Sequence, residues 1–208
     1  MTTYPIRLYG DAVLRRAARA VERFDDELRR LGETLVETML EADGAGLAAP
    51  QVGVPLRVFV VAGAYAGTLD PGEEHDRDAE RAAARVIVNP QVVARQGRRV
   101  DLEGCLSIPG IYAEVERDAG LTLRYQDPRG AWQQLVAEGN HAKAIQHEVD
   151  HLDGVLFLDR LAAPARTEVM EGHRLELAQM QRDARAHLKE LRLAGLPSQP
   201  WPRRRPRR

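Results

Sequence analysis

Two histidines four residues apart, with a glutamate beside the first, form the stretch of this chain best suited to chemistry. They are His147, Glu148 and His151 in QHEVDHLDG (146–154). On a helix, residues i and i+4 stack on one face, so both imidazoles can point at one metal ion. The glutamate between them is then placed to contact a water on the metal rather than the metal itself. This pattern is half of a metal site, and the third protein ligand decides the chemistry.

Three positions are candidates for that third ligand. The extended metzincin motif H-E-x-x-H-x-x-G-x-x-H would need histidine where the chain has Phe157, so this option is excluded. A carboxylate on a following helix, as in thermolysin-like proteases, would be Glu171, which the spacing alone permits. Cys105 in EGCLSIPG (103–110) is the candidate we favour. One thiolate and two imidazoles leave an open fourth position on a tetrahedral ion, as in catalytic sites.

Length and composition predict one globular domain in a reducing compartment. The chain has 208 residues, 44% of them hydrophobic, and lacks any run near the ~20 apolar residues of a membrane span. Its N-terminus, MTTYPIRLYG, has no apolar signal region. The single cysteine excludes an internal disulfide and leaves the thiol available to a metal. We therefore expect a cytoplasmic protein without membrane or DNA partners.

The formal charge of −1 is unevenly distributed. The last eight residues, WPRRRPRR, contain five arginines, so residues 1–202 carry −6. A proline-interrupted arginine run does not form a packed helix. We expect residues 1–196 to form a single domain and residues 197–208 a disordered basic tail. That tail is either simply solvated or an electrostatic contact for RNA or another acidic surface.

Hydrophobic periodicity predicts an α+β fold in which mostly antiparallel strands surround a central motif helix. The spacing after Asp25 and Asp26 predicts an N-terminal helix that stops near Gly44. The motif helix is predicted at 139–152, on which His141 lies off the metal-facing sector. Strands, with a hairpin turn at DPRG (127–130), are predicted at 56–63, 85–90, 92–95, 98–102, 111–117, 120–126 and 131–137.

The remaining segments are predicted to be a surface excursion and a C-terminal helix. Residues 66–83 are polar and acidic, which predicts a segment that leaves the core and lies on the surface, here called the surface excursion. A long polar helix is predicted from Pro164 to about Ala194. Its apolar stripe is formed by Val169, Leu175, Leu177 and Met180.

Three motifs, in this order, resemble those of peptide deformylases: GAGLAAPQ (44–51), EGCLS (103–107) and QHEVDH (146–151). The resemblance extends from YGDAVLR (9–15) to GVLFLDRL (154–161). Peptide deformylases remove the formyl group from the N-terminal methionine of newly made bacterial and organellar proteins. The resemblance therefore implies hydrolysis of a formamide on N-formylmethionyl nascent peptides, with release of formate.

The resemblance also assigns the residues that perform this reaction. Glu148 is implied as general base and then general acid. The side-chain amide of Gln51 and the backbone N–H of Leu106 are implied as donors to the developing oxyanion. The implied metal ligands are Cys105, His147 and His151, with ferrous iron favoured in the cell and zinc, nickel or cobalt as alternatives.

Substrate-binding residues follow from the same resemblance. Gly46 lacks a side chain where the substrate backbone would approach closely, and the neighbouring Gly44 and Ala45 are further candidates for substrate contact. Asn140 and Ala45 depart from the bulkier apolar residues usual in the family, and we expect them to weaken the preference for methionine. The resemblance further suggests an ion pair between Glu103 and Arg117 that holds the EGCLS strand.

The resemblance implies one macromolecular partner besides the substrate, and two rival functions stay open. The C-terminal helix and the basic tail are expected to contact the ribosome. One rival is a catalytically silent relative that binds formylated or free N-termini. The other is a zinc peptidase that uses Glu171 as a ligand.

Overall fold

Seven strands and six helices make up the part of the chain that the computed structural model describes, residues 3–69 and 76–194. This confirms the predicted α+β class. The strands are Gly46–Ala48 (β1), Val58–Val61 (β2), Arg85–Gln96 (β3), Arg99–Cys105 (β4), Ile108–Arg117 (β5), Gly120–Gln126 (β6) and Trp132–Glu138 (β7). The helices are Asp26–Glu41 (α1), Gly63–Ala66 (α2), Arg77–Ala83 (α3), Gly139–Leu152 (α4), Ala163–Gly172 (α5) and Arg174–Leu193 (α6).

The strands form two antiparallel sheets. One has five strands in the order β1-β2-β3-β6-β7, and the other is the β4–β5 hairpin. The segments 85–90 and 92–95, predicted as separate strands, are one strand, β3. Pro90 lies inside it, and the register with β6 shifts between Val88 and Gln91. Proline cannot donate a hydrogen bond to the ladder, so the pairing is irregular at this point. The strand nevertheless continues beyond it.

The motif helix, α4, lies against the five-stranded sheet and holds the central histidines. Its bounds agree with the predicted 139–152. Ala142, Ile145 and Leu152 are fully buried in the same apolar cluster as Phe59 and Leu123 of the sheet. Burial of that face fixes the rotation of the helix, and therefore fixes where His147 and His151 point. The hairpin β4–β5 packs on the histidine side of the helix.

The N-terminal helix begins where it was predicted and ends slightly earlier. Asp25 caps α1 by accepting hydrogen bonds from the backbone N–H groups of Glu27 and Leu28. The helix ends at Glu41, and Asp43, not Gly44, takes the left-handed conformation with φ of 52°. The chain then turns directly into β1.

The C-terminal segment corrects one prediction. The single helix expected from Pro164 to Ala194 is two helices, α5 and α6, separated at His173 with φ −111° and ψ 27°. Gly172 precedes this break, and glycine is a weak helix former. The break also changes the predicted apolar stripe, because Leu175 is 72% exposed while Leu177, Met180 and Ala184 are buried.

Two further predictions concern segments of lower regularity. The predicted surface excursion, 66–83, begins at the last residue of α2 and contains α3; residues 70–75 within it are not described. The predicted basic tail, 197–208, lies outside the described residues. Across the described ranges, the helices are too short or too polar to cross a membrane.

Candidate active site

Gln51 is fixed at one wall of the site by the turn that follows β1. This residue belongs to a 3₁₀ turn, Ala49–Val52, and is only 1% exposed. The backbone N–H of Ala48 donates to Gln51 Oε1 at 2.8 Å, so the amide nitrogen must face the other way. Gln51 Nε2 lies 3.3 Å from Ser107 Oγ and 3.6 Å from Cys105 Sγ. The turn therefore directs an N–H donor at the cysteine.

Cys105, His147 and His151 are brought together by two elements, β4 and α4. One ligand atom from each of the three lies within 4.8 Å of the others. Cys105 Sγ is 3.2 Å from His151 Nε2. A tetrahedral metal with ordinary sulfur and nitrogen bond lengths would separate such a pair by ~3.5 Å. The donor types and their spacing thus fit a divalent ion, and these three are the metal-ligating group found among the described residues.

A chain of buried charges holds His147 from behind. Glu103 Oε2 lies 3.1 Å from His147 Nδ1, which leaves His147 Nε2 as the nitrogen available to a metal. Arg117 donates to both oxygens of Glu103 at 2.8 and 3.0 Å, as the predicted ion pair requires. Arg117 also donates to Asp150 at 2.7 Å, and Arg160 pairs with the same carboxylate. Glu103, Arg117 and Asp150 are each 5% exposed or less.

The buried charges around Glu103 and Arg117 favour positive charge at His147. Burial alone would raise the pKa of Glu103, but hydrogen bonds from His147 and Arg117 lower it to about 2. Burial alone would lower the pKa of His147, yet its contacts with Cys105 and Glu103 raise it well above its ordinary value. The pKa of His151 is lowered well below its ordinary value, chiefly by burial and then by His147. The thiol and carboxylate thus create a site that stabilises a cation.

Glu148 lies at the floor of the site with one oxygen unused. It is 3% exposed, and Oε2 is buried without a hydrogen-bond partner among the described residues. Burial raises the pKa of Glu148 to about 7, although neighbouring His147 opposes the shift. A Cβ placed on Gly46 would lie only 2.6 Å from Glu148 Oε1. The absence of a side chain at Gly46 therefore makes room for this carboxylate.

These residues open onto a cavity of about 430 Å³. Gly44, Ala45, Gly46 and Leu106 line it. Leu106 lies in the turn between β4 and β5.

Asn140 does not line this cavity. It is exposed in the first turn of α4, and the lining residues of that helix lie further along it. Among the lining residues that sequence reasoning missed are Tyr65, Tyr112 and Lys143. Lys143 is four residues before His147, so helical spacing is the signal that could have found it.

The alternative ligand is not part of the group. Glu171 is exposed on α5 and is absent from the metal-ligating cluster of the described residues. Phe157 stacks its ring on His147 with centroids 6.3 Å apart, so it packs against the histidine instead of ligating a metal.

Comparison with known proteins identifies the family. The profile of the family described as Polypeptide deformylase matches residues 3–167. This chain belongs to the peptide deformylase family. Its members are hydrolases that remove the formyl group from N-formylmethionyl peptides, so the chain is a hydrolase of this class.

Individual peptide deformylases are similar over most of the chain. The peptide deformylase of Thermus thermophilus is 49% identical over 191 residues, covering 90% of this chain and 97% of that protein. The one from Rhizobium meliloti is 42% identical, covering 82% and 91%. The crystal structure of a Thermus thermophilus peptide deformylase superposes with a TM-score of 0.77, at 43% identity, over 88% of this chain and 99% of that one.

Proposed function

We propose that Cys105, His147 and His151 hold one divalent ion, and that Glu148, Gln51 and Leu106 perform the hydrolysis of N-terminal formyl-methionine. The observation that carries this proposal is the buried, unpartnered Oε2 of Glu148 next to the three-ligand cluster of the described residues. A buried carboxylate oxygen without a partner costs folding free energy unless a ligand or reactant forms a hydrogen bond to it. A divalent ion there would supply Lewis acidity, which lowers the pKa of water from about 15.7 towards about 7.

The proton transfers belong to Glu148. Its carboxylate accepts a proton from the attacking water and then delivers it to the amine nitrogen as the formyl C–N bond breaks. The products are formate and a free N-terminal amine. Burial keeps this carboxylate out of bulk water, and the absence of a side chain at Gly46 leaves room for it beside the three ligands.

The charge that develops on the formyl oxygen needs donors fixed in advance. Gln51 meets this requirement because Ala48 holds its carbonyl oxygen and so aims its Nε2 towards Cys105. The backbone N–H of Leu106, one residue after Cys105, is the second donor we propose. Gly44, Ala45 and Gly46 form the wall along which the peptide backbone lies.

For the metal we propose ferrous iron in the cell. Family membership and the donor set support this choice, because one thiolate with two imidazoles suits iron as well as zinc, nickel or cobalt. Metal analysis of protein purified without oxygen tests it. Iron at one equivalent per chain is expected, and zinc alone would contradict it.

Formate release from formyl-Met-Ala-Ser tests the function itself. We expect rapid, metal-dependent release, and no deacylation of acetyl-Met-Ala-Ser. Tight binding of the formyl peptide without any formate would instead identify a silent binder. Turnover of unformylated peptides at internal bonds would identify a peptidase.

We also propose that the enzyme works in the cytoplasm and contacts the ribosome through α6 and residues 197–208. The five arginines of that tail support this because ribosomal RNA is a dense polyanion. Deleting residues 197–208 should weaken co-sedimentation with ribosomes at physiological salt. Unchanged co-sedimentation would exclude a role for the tail.

A further inference from the structure

Among the described residues that line the active-site cavity, Lys143 is the one lysine or arginine. Apart from His147, the other charged residues of that lining are acidic: Asp43, Glu103 and Glu148. The chain has only two lysines, and this one lies on α4, one turn before the ligand His147. Its position in the wall is therefore fixed by the same helix that fixes the metal site.

The ammonium group of Lys143 lies at the rim of the cavity. Lys143 Nζ donates to the backbone carbonyl of Leu102 at 3.3 Å, and this contact is exposed. Leu102 itself is 61% exposed. Long cationic side chains place an apolar stem against a wall and the charge in water, and this arrangement follows that pattern.

No carboxylate of the described residues pairs with Lys143. Glu103 is occupied by Arg117 and His147, and Glu148 is buried at the floor. A bond to one carbonyl uses one of the three donors of an ammonium group. The charge at the rim is thus available to a carboxylate that arrives from outside.

The peptide substrate must pass this rim. If the formyl group lies beside Glu148 and Gln51, as the proposed function requires, the residues that follow methionine leave the cavity through its mouth. Leu102, Lys143 and the 60% exposed Tyr112 all line that cavity. We propose that Lys143 is a specificity residue, which favours nascent peptides with aspartate or glutamate at the second or third position. This inference rests on the proposed function.

The expected preference is modest, because the pair is solvated. Exposed ion pairs change an equilibrium by about two- to five-fold, and salt screens them. We therefore expect kcat/KM to be about two- to five-fold higher for an acidic peptide than for its neutral isostere at low salt. The ratio should approach one in about 1 M NaCl, where the Debye length is about 3 Å.

Two peptide pairs test the proposal. They are formyl-Met-Glu-Ser amide against formyl-Met-Gln-Ser amide, and formyl-Met-Ser-Glu amide against formyl-Met-Ser-Gln amide. The amides remove the C-terminal charge, so only the side chain differs. We expect the wild-type enzyme to favour glutamate in at least one pair, Lys143→Met to show no preference, and Lys143→Glu to reverse it. Lys189→Met is the matched control, because Lys189 is exposed on α6 and should keep the wild-type ratio.

The outcomes separate this inference from the proposed function. Deformylation of every peptide with equal kcat/KM, or a glutamate preference that persists in Lys143→Met, overturns the role of Lys143 alone. Turnover of the glutamine peptides by Lys143→Met shows that this variant is folded. Absence of formate from every peptide overturns the proposed function and this inference with it.

Discussion

The substitution Gly46→Ala tests how tightly the site is built around Glu148. The added Cβ would lie 2.6 Å from Oε1, 2.9 Å from Cγ and 3.0 Å from Cδ of Glu148. Ordinary contacts of this kind begin at about 3.5 Å, so the carboxylate must move by roughly 0.5–1 Å. Because Glu148 lines the active-site cavity, its carboxylate can shift into that space, away from its present position beside the three ligands.

The expected result is a loss of turnover with substrate binding largely retained. A displacement of about 1 Å at a catalytic group costs about 10²-fold, which lies within the ~10²–10⁴-fold that a general base supplies. We expect kcat of Gly46→Ala to fall by about 10²-fold and KM to change little. An obstructed peptide path, which sequence reasoning suggested for this position, would instead raise KM and leave kcat nearly unchanged.

Initial rates of formate release on formyl-Met-Ala-Ser, measured across substrate concentrations, separate the two interpretations. Gly172→Ala is the matched control, because a Cβ there meets nothing within 4 Å. In a Glu148→Ala background, Gly46→Ala should cause no further loss, because its effect acts through the carboxylate. A further loss of about 10²-fold in that background would refute the reasoning.

Three further predictions concern the metal ligands, the oxyanion donor and the buried ion pairs of Arg117. Cys105→Ala should lose bound metal while Glu171→Ala keeps one equivalent, as measured by elemental analysis; the reverse would restore the peptidase hypothesis. Gln51→Glu keeps the acceptor for Ala48 but loses the donor, so kcat should fall by about 10²–10³-fold; full activity would remove Gln51 from the mechanism. Arg117→Met removes the buried cation that Glu103 and Asp150 share, so urea titration should show a loss of about 3–5 kcal/mol in the free energy of unfolding. The exposed Arg98→Met should lose less than about 1 kcal/mol, and equal losses would contradict the reasoning.

The elements that place the site were predictable where the local pattern is strong. The motif helix at 139–152 has a clear period and a glycine with φ of 57° at its start, so its bounds were correct. The ligand histidines follow directly from that period. Cys105 was favoured because one thiolate with two imidazoles leaves an open fourth position on a metal, and the structure brings it within 3.2 Å of His151.

Other features depend on tertiary contacts that a single sequence does not display. Because α6 starts as a separate helix after His173, Leu175 is exposed and does not belong to the buried apolar stripe. Pro90 interrupts a ladder that β6 nevertheless continues on both sides. Asp150 supports Glu103 only through Arg117, which lies on β5, 33 residues earlier in the chain than Asp150. For Pro90 and Asp150 the partner is distant in the chain, so periodicity carries no signal for it.

The most direct test of the account compares wild type with Glu148→Gln, both loaded with one equivalent of metal. The variant keeps the shape of the side chain and loses the base. We predict that it binds metal and formyl-Met-Ala-Ser like the wild type but releases formate at least about 10²-fold more slowly. Wild-type rates from a fully loaded Glu148→Gln would contradict the assignment of Glu148 as the group that moves the proton.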